Sequence, residues 1–136
     1  MKKVSTIQHD VIKQFFITRK ENEESFFAHP SYQLEQELLH WITQADEEKA
    51  KDVLLKINNL EKAKLSPNPV RSLKNSLICS CTLFTRATIK AGVTPEYAFD
   101  LSDIYIREIE KVDLPEELQA IEYEMVITFI KAVRDY

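Results

Sequence analysis

Three histidines and two cysteines are the side chains best suited to metal or nucleophilic chemistry, and their spacing limits what they can do. His9 and His29 fall in the least regular part of the chain, and His40 lies in Leu39-His40-Trp41 on an amphipathic stretch. A transition-metal site needs several nitrogen, oxygen or sulfur ligands converging at characteristic spacings. No His-x-x-His, His-Glu-x-x-His or Cys-x-x-Cys occurs, so the sequence offers no metal site. His40 therefore reads as a surface or half-buried side chain rather than a ligand. Cys79 and Cys81 are two residues apart. On a helix that spacing points them to different sides, so they do not bridge and read as reduced thiols. A redox sensor needs a lowered pKa and access to solvent. Cys81 instead shares an apolar stripe with Leu73, Leu77 and Phe84, and the pair reads as small buried apolar groups.

Other reactive constellations are missing for a simpler reason. A single glycine rules out a Gly-rich phosphate loop and a Gly-x-Ser-x-Gly nucleophile elbow. Acidic residues are plentiful but lie on helix faces beside Lys and Arg, as solvated charged faces do. No nucleophile–base pair emerges. The expectation is a non-catalytic protein with no cofactor.

The elements that carry these residues are helical. Val11-Ile12 and Phe15-Phe16-Ile17 recur at three and four, which predicts an amphipathic helix over about 9–18 inside an irregular segment 1–28. Arg19-Lys20-Glu21-Asn22-Glu23-Glu24 reads as exposed, and Phe26-Phe27-Ala28 as a short buried or strand-like tether. His29-Pro30-Ser31 is a start signal, with Leu34, Leu38, Trp41 and Ile42 following at helical spacing. Asp46 caps a second helix whose stripe is Ala50, Val53, Leu54, Ile57 and Leu60. So short a connection predicts a tetratricopeptide-like αα-hairpin, although no second copy appears at the repeat period. Leu65-Ser66-Pro67-Asn68-Pro69 breaks the chain. A long helix from about 70 to 91 ends at Gly92. Thr94-Pro95 starts the next, with a possible break near Ser102, and Asp113-Leu114-Pro115-Glu116 caps the last, which runs to about Arg134. The predicted fold is an all-α compact bundle of five to six helices, with 29–136 as its domain.

Composition agrees. The 136 residues carry 44% hydrophobic and 29% charged side chains, enough for one hydrophobic core. With 18 basic against 22 acidic residues, the net charge of −4 is not that of a stand-alone nucleic-acid binder. No apolar run is long enough to span a membrane, and the N-terminus is too polar for a signal peptide. The expected location is the cytoplasm.

Two helix faces stand out as candidate surfaces. On the 70–91 helix, Leu73, Leu77, Cys81, Phe84 and Ala87 make the core side. Arg71, Lys74, Asn75, Ile78, Arg86 and Ile89 fall on the other arc, with Thr82 and Lys90. This arc has two readings: cations paired with acidic neighbours and isoleucines under another helix, or a surface for a partner or anionic ligand. On the last helix, Tyr123, Val126, Ile127 and Ile130 widen the apolar stripe almost all round, which marks a central helix or one shared with an oligomeric or interdomain partner.

The segment Asn68-Pro69-Val70-Arg71-Ser72-Leu73-Lys74-Asn75-Ser76-Leu77-Ile78 resembles the Asn/Asp-Pro-Leu-Arg-x-x-Lys-Asn-x-Leu-Ile signature of a group of Firmicutes regulators of the arabinose-operon-regulator (AraC/XylS) family. Thr85-Arg86-Ala87-Thr88-Ile89-Lys90-Ala91-Gly92-Val93 is similar to the group's Arg-Ala-Ala-Ile-x-Gly-Gly-Val, with Ala91 in place of one glycine. The stretches Pro95–Ile106, Phe26–Pro30 and Leu34–Leu39 fit its neighbouring helices. The likeness covers about residues 26–134. It implies a regulatory domain, signal-receiving or dimerising, that in the family precedes a pair of helix-turn-helix units. It implies DNA contact only through that module, which is not in this chain. It implies no ligand role for Arg71, Lys74, Asn75 or Arg86. The expected partners are a second copy of the chain and a small-molecule or protein signal. The alternative is a free-standing helical adaptor that takes a protein or peptide in the 34–60 hairpin groove.

Overall fold

Proline and short polar residues set where the helices begin. The computed structural model describes residues 3–29, 31–60 and 62–136. Its elements are α1 (Val4–Glu24), α2 (Tyr32–Thr43), α3 (Glu47–Asn58), α4 (Pro69–Lys90), α5 (Pro95–Lys111) and α6 (Pro115–Asp135). Among the described residues there is no strand. Pro69, Pro95 and Pro115 each open a helix, where a missing N–H costs nothing. Side-chain oxygens of Ser31, Asp46 and Asn68 accept the backbone N–H groups of Gln33, Lys49 and Arg71, each at 3.1 Å. Pro30, part of the expected start signal, lies outside the described residues.

Helix ends are set by left-handed residues. Phe26 (φ 58°), Ala45 (φ 54°) and Gly92 (φ 114°) follow α1, α2 and α4. The next residue's N–H then reaches back to a helix carbonyl: Phe27 to Asn22 (2.9 Å), Asp46 to Trp41 (3.0 Å) and Val93 to Thr88 (3.3 Å). Only Gly92 adopts this conformation without a Cβ penalty. At Ala45 the penalty is roughly 1–2 kcal/mol, and the extra unfolded-state freedom of glycine offsets part of it. Ala45→Gly is thus expected to stabilise the fold by about 0.5–1 kcal/mol, read as a higher urea midpoint at unchanged slope.

The core lies between α4 and α6. Leu38 and Ile42 of α2, Ala50, Val53 and Leu54 of α3, Cys81, Phe84 and Ala87 of α4, and Met125, Val126, Phe129 and Ile130 of α6 form one buried cluster. A smaller cluster of Leu77, Ile109 and Leu118 joins α4, α5 and α6. The α2–α3 hairpin forms as expected and packs on both central helices. Thr85 and Thr88, buried on α4, donate their hydroxyls to the carbonyls of Cys81 (2.7 Å) and Phe84 (2.8 Å), which satisfies them inside their own helix.

Several expected details differ. α1 covers 21 residues, not about ten, because Val4 and Ile7 continue the apolar spacing and Arg19–Glu23 and Lys20–Glu24 pairs support its last turns. Phe26 is 94% exposed rather than a buried tether. α3 stops at Asn58, leaving Leu60 off its stripe and exposed. α5 is unbroken: Ser102 is buried within it, facing Cys81 Sγ at 3.6 Å, and caps nothing. At the start of α6 the cap position belongs to Leu114, and Asp113 pairs with Lys74 instead.

Candidate functional site

The basic face expected on α4 is a tie between helices. Arg71 Nη1 lies 2.6 Å from Glu110 Oε1 of α5, and its Nε donates to Asn75 Oδ1 at 3.2 Å. Lys74, only 6% exposed, donates from Nζ to the Glu110 carbonyl (2.8 Å) and pairs with Asp113 at 3.3 Å. The Glu110 carbonyl is one of the last four of α5, which have no acceptor role inside the helix, so an ammonium there satisfies the helix end and opposes its dipole. Asn75 Nδ2 reaches the Leu65 carbonyl at 3.5 Å. Arg86 lies elsewhere, over the Phe99 ring at 4.9 Å. Ile78 and Ile89 pack against separate clusters. The six residues therefore form no continuous ligand surface. Arg71 and Lys74 are paired with acidic neighbours and the two isoleucines are partly covered, as the first of the two readings has it, whereas Arg86 rests on an aromatic ring.

The expected oligomer face on α6 is corrected in the same way. Val126 and Ile130 are in the core, at 1% and 0% exposure, because α6 packs against four other helices. Tyr123 is exposed and stands beneath the Lys51 ammonium, 5.1 Å from its ring centre, while Ile127 is half-buried. α6 is apolar nearly all round because it is central.

The thiols part company. Cys81 is fully buried, and burial pushes its thiol up from the usual value, so it stays protonated and inert. Cys79 is exposed rather than buried as expected. His40 is exposed and stacks edge-on against Trp41, with ring centres 4.6 Å apart. Among the described residues, no group of three or more His, Cys, Asp or Glu is placed to hold a metal ion. No helix among them is long and apolar enough to cross a membrane.

What remains uncovered is α1. It buries no residue and packs against none of the other five helices. Stepping around the helix at 100° per residue, Ile7, Val11, Val4, Phe15, Ile12 and Phe16 occupy one half of its circumference. All six are exposed, Val11 at 61% and Phe15 at 58%. The sequence marked Val11, Ile12, Phe15 and Phe16. Extending the same spacing back to Val4 and Ile7 is the signal that would have revealed the whole face.

Comparison with known protein families, with curated proteins and with solved structures found no match.

Proposed function

We propose that this chain is the regulatory, dimerising part of an AraC-type bacterial transcription regulator whose DNA-reading module lies outside these 136 residues. The observation that carries the reading is α1: a helix about three nanometres long, apolar along one side, on which no other helix among the described residues packs. Exposed apolar patches of that kind mark association surfaces. The polar side of α1 argues for a protein partner rather than a lipid surface. Off the apolar half, Lys13 and Lys20 are outnumbered by Asp10, Glu21 and Glu24, whereas helices that lie on anionic membranes carry a basic excess. A second copy of the chain presents the same uncovered face, so two copies of α1 can cover each other about a two-fold axis, which favours a homodimer.

The resemblance over residues 26–134 supports the regulatory half of the reading. Dimerisation fixes the spacing of attached DNA readers, and a signal acts by favouring one arrangement of the pair over another. The Asn68, Arg71, Lys74 and Asn75 pattern takes a structural meaning here: it caps α4 and clasps it to α5.

Sedimentation of the chain is expected to give a dimer at micromolar concentration. The native reading frame is expected to run on past Tyr136 into two helix-turn-helix units. A strictly monomeric chain at high concentration would count against the dimerising role, and a frame without such units against the regulatory one. The adaptor reading is favoured by a separate observation, a cavity at the α2–α3 hairpin, and gains if the frame stops.

A further inference from the structure

Between the α2–α3 hairpin and α4 lies a cavity of about 320 Å³. Leu38, Leu54, Leu83 and Phe84 give it apolar lining, and Glu122 of α6 also lines it. Glu122 sits one turn from Leu118 and one turn from Val126, in a row otherwise apolar, and is 3% exposed. Its Oε2 is 3.8 Å from Lys62 Nζ, within ion-pair reach but too long for a hydrogen bond. Its Oε1 accepts no hydrogen bond, and it is the one buried side-chain oxygen or nitrogen left so among the described residues. A buried carboxylate oxygen without a donor is costly, and natural cores rarely keep one without a use.

We propose that this cavity binds a small organic cation, an amine on an apolar body, with its ammonium paired with the Glu122 carboxylate, whose buried Oε1 gains a donor by a turn of the carboxyl group. The cavity has the usual composition of a small-molecule site, mostly apolar with a few polar groups that fix orientation. Its size is at the small end of that range. The sign of the charge follows from the lining: its charged side chains are the carboxylates of Glu35 and Glu122 and one ammonium, that of Lys62, beside the imidazole of His29. An anionic ligand meets two carboxylates, whereas a cation supplies the donor that Oε1 lacks. This assignment goes beyond the regulatory reading and stands without it, since it rests on the cavity and its carboxylate.

The test is a titration of the methyl-labelled chain with phenethylamine at neutral pH, followed by NMR at the Leu38, Leu54 and Leu83 methyl groups, alongside phenethyl alcohol as the neutral counterpart. Saturable shifts confined to these methyls are expected for the amine, with binding of the alcohol weaker by about tenfold or more, the usual worth of a charged hydrogen bond. Glu122→Gln is expected to remove that difference between the two probes. No shifts at millimolar amine, equal binding of both probes, or an undiminished preference in Glu122→Gln would each overturn the proposal. The probe comparison is made on the unaltered chain, so it decides the matter even where the variant fails to fold. A chain that binds amine but has no attached DNA reader would leave this site standing while refuting the regulatory reading.

Discussion

Val11→Glu combined with Phe15→Glu is expected to convert the proposed dimer to monomer without weakening the fold. Both side chains lie near the middle of the uncovered face of α1, at 61% and 58% exposure. In a helix-to-helix interface such residues are the anchors, and truncating a central anchor commonly costs 2 kcal/mol or more. Placing a charge there adds desolvation and, across a two-fold axis, like-charge repulsion. The dissociation constant is expected to rise by at least about a hundredfold, equivalent to roughly 2.7 kcal/mol. Sedimentation equilibrium or light scattering across a dilution series measures it. Because α1 packs on no other helix, the urea midpoint of the bundle, followed through Trp41, should stay that of the parent chain at matched monomer concentration. A double variant that associates as the parent does would place the interface elsewhere. One that unfolds would show that α1 belongs to the bundle.

Phe129→Ala is expected to give the opposite pattern. Phe129 is fully buried among the α2, α3 and α4 side chains, with the Tyr105 ring 6.1 Å away. Removing a buried phenyl group loses its transfer energy and leaves a cavity, for a total of about 3–5 kcal/mol. Domains are typically stable by only about 5–15 kcal/mol, so this one change removes a large share of the margin. The expected result is a large fall in the urea midpoint at nearly constant slope, with helical signal retained before the transition. A loss under about 1 kcal/mol would mean that the site collapses freely and that the core is loosely packed. Together the two variants separate folding from association: one acts on the five-helix core, the other on a surface this chain leaves bare.

The apolar spacing made most of the architecture legible. Periodicities of three and four, the prolines at 69, 95 and 115, and the polar residues at 31, 46 and 68 are local features, and local hydrogen bonding acts on them directly. Sequence and structure part where a local role competes with a distant partner. Asp113 has the right chemistry to cap α6, yet a buried ammonium 39 residues earlier takes its carboxylate. Ser102 has the right chemistry to start a helix, yet an unbroken α5 places it against Cys81. In both cases the deciding partner comes from a distant part of the chain.

Composition and period thus established an all-α bundle, its hairpin, and the lack of any reactive spacing among His and Cys, because each depends only on neighbours within a turn or two of helix. Which faces stay open is a different kind of property. Val126 and Ile130 look as bare in the sequence as Val11 and Phe15 do, and only the packing of α6 among four helices, with none on α1, tells them apart. The same holds for Glu122: its place in an apolar row is visible along the chain, but its oxygen is buried without a donor only once the neighbouring helices pack around it. Burial is a sum over contacts made at long range, and no single segment contains it.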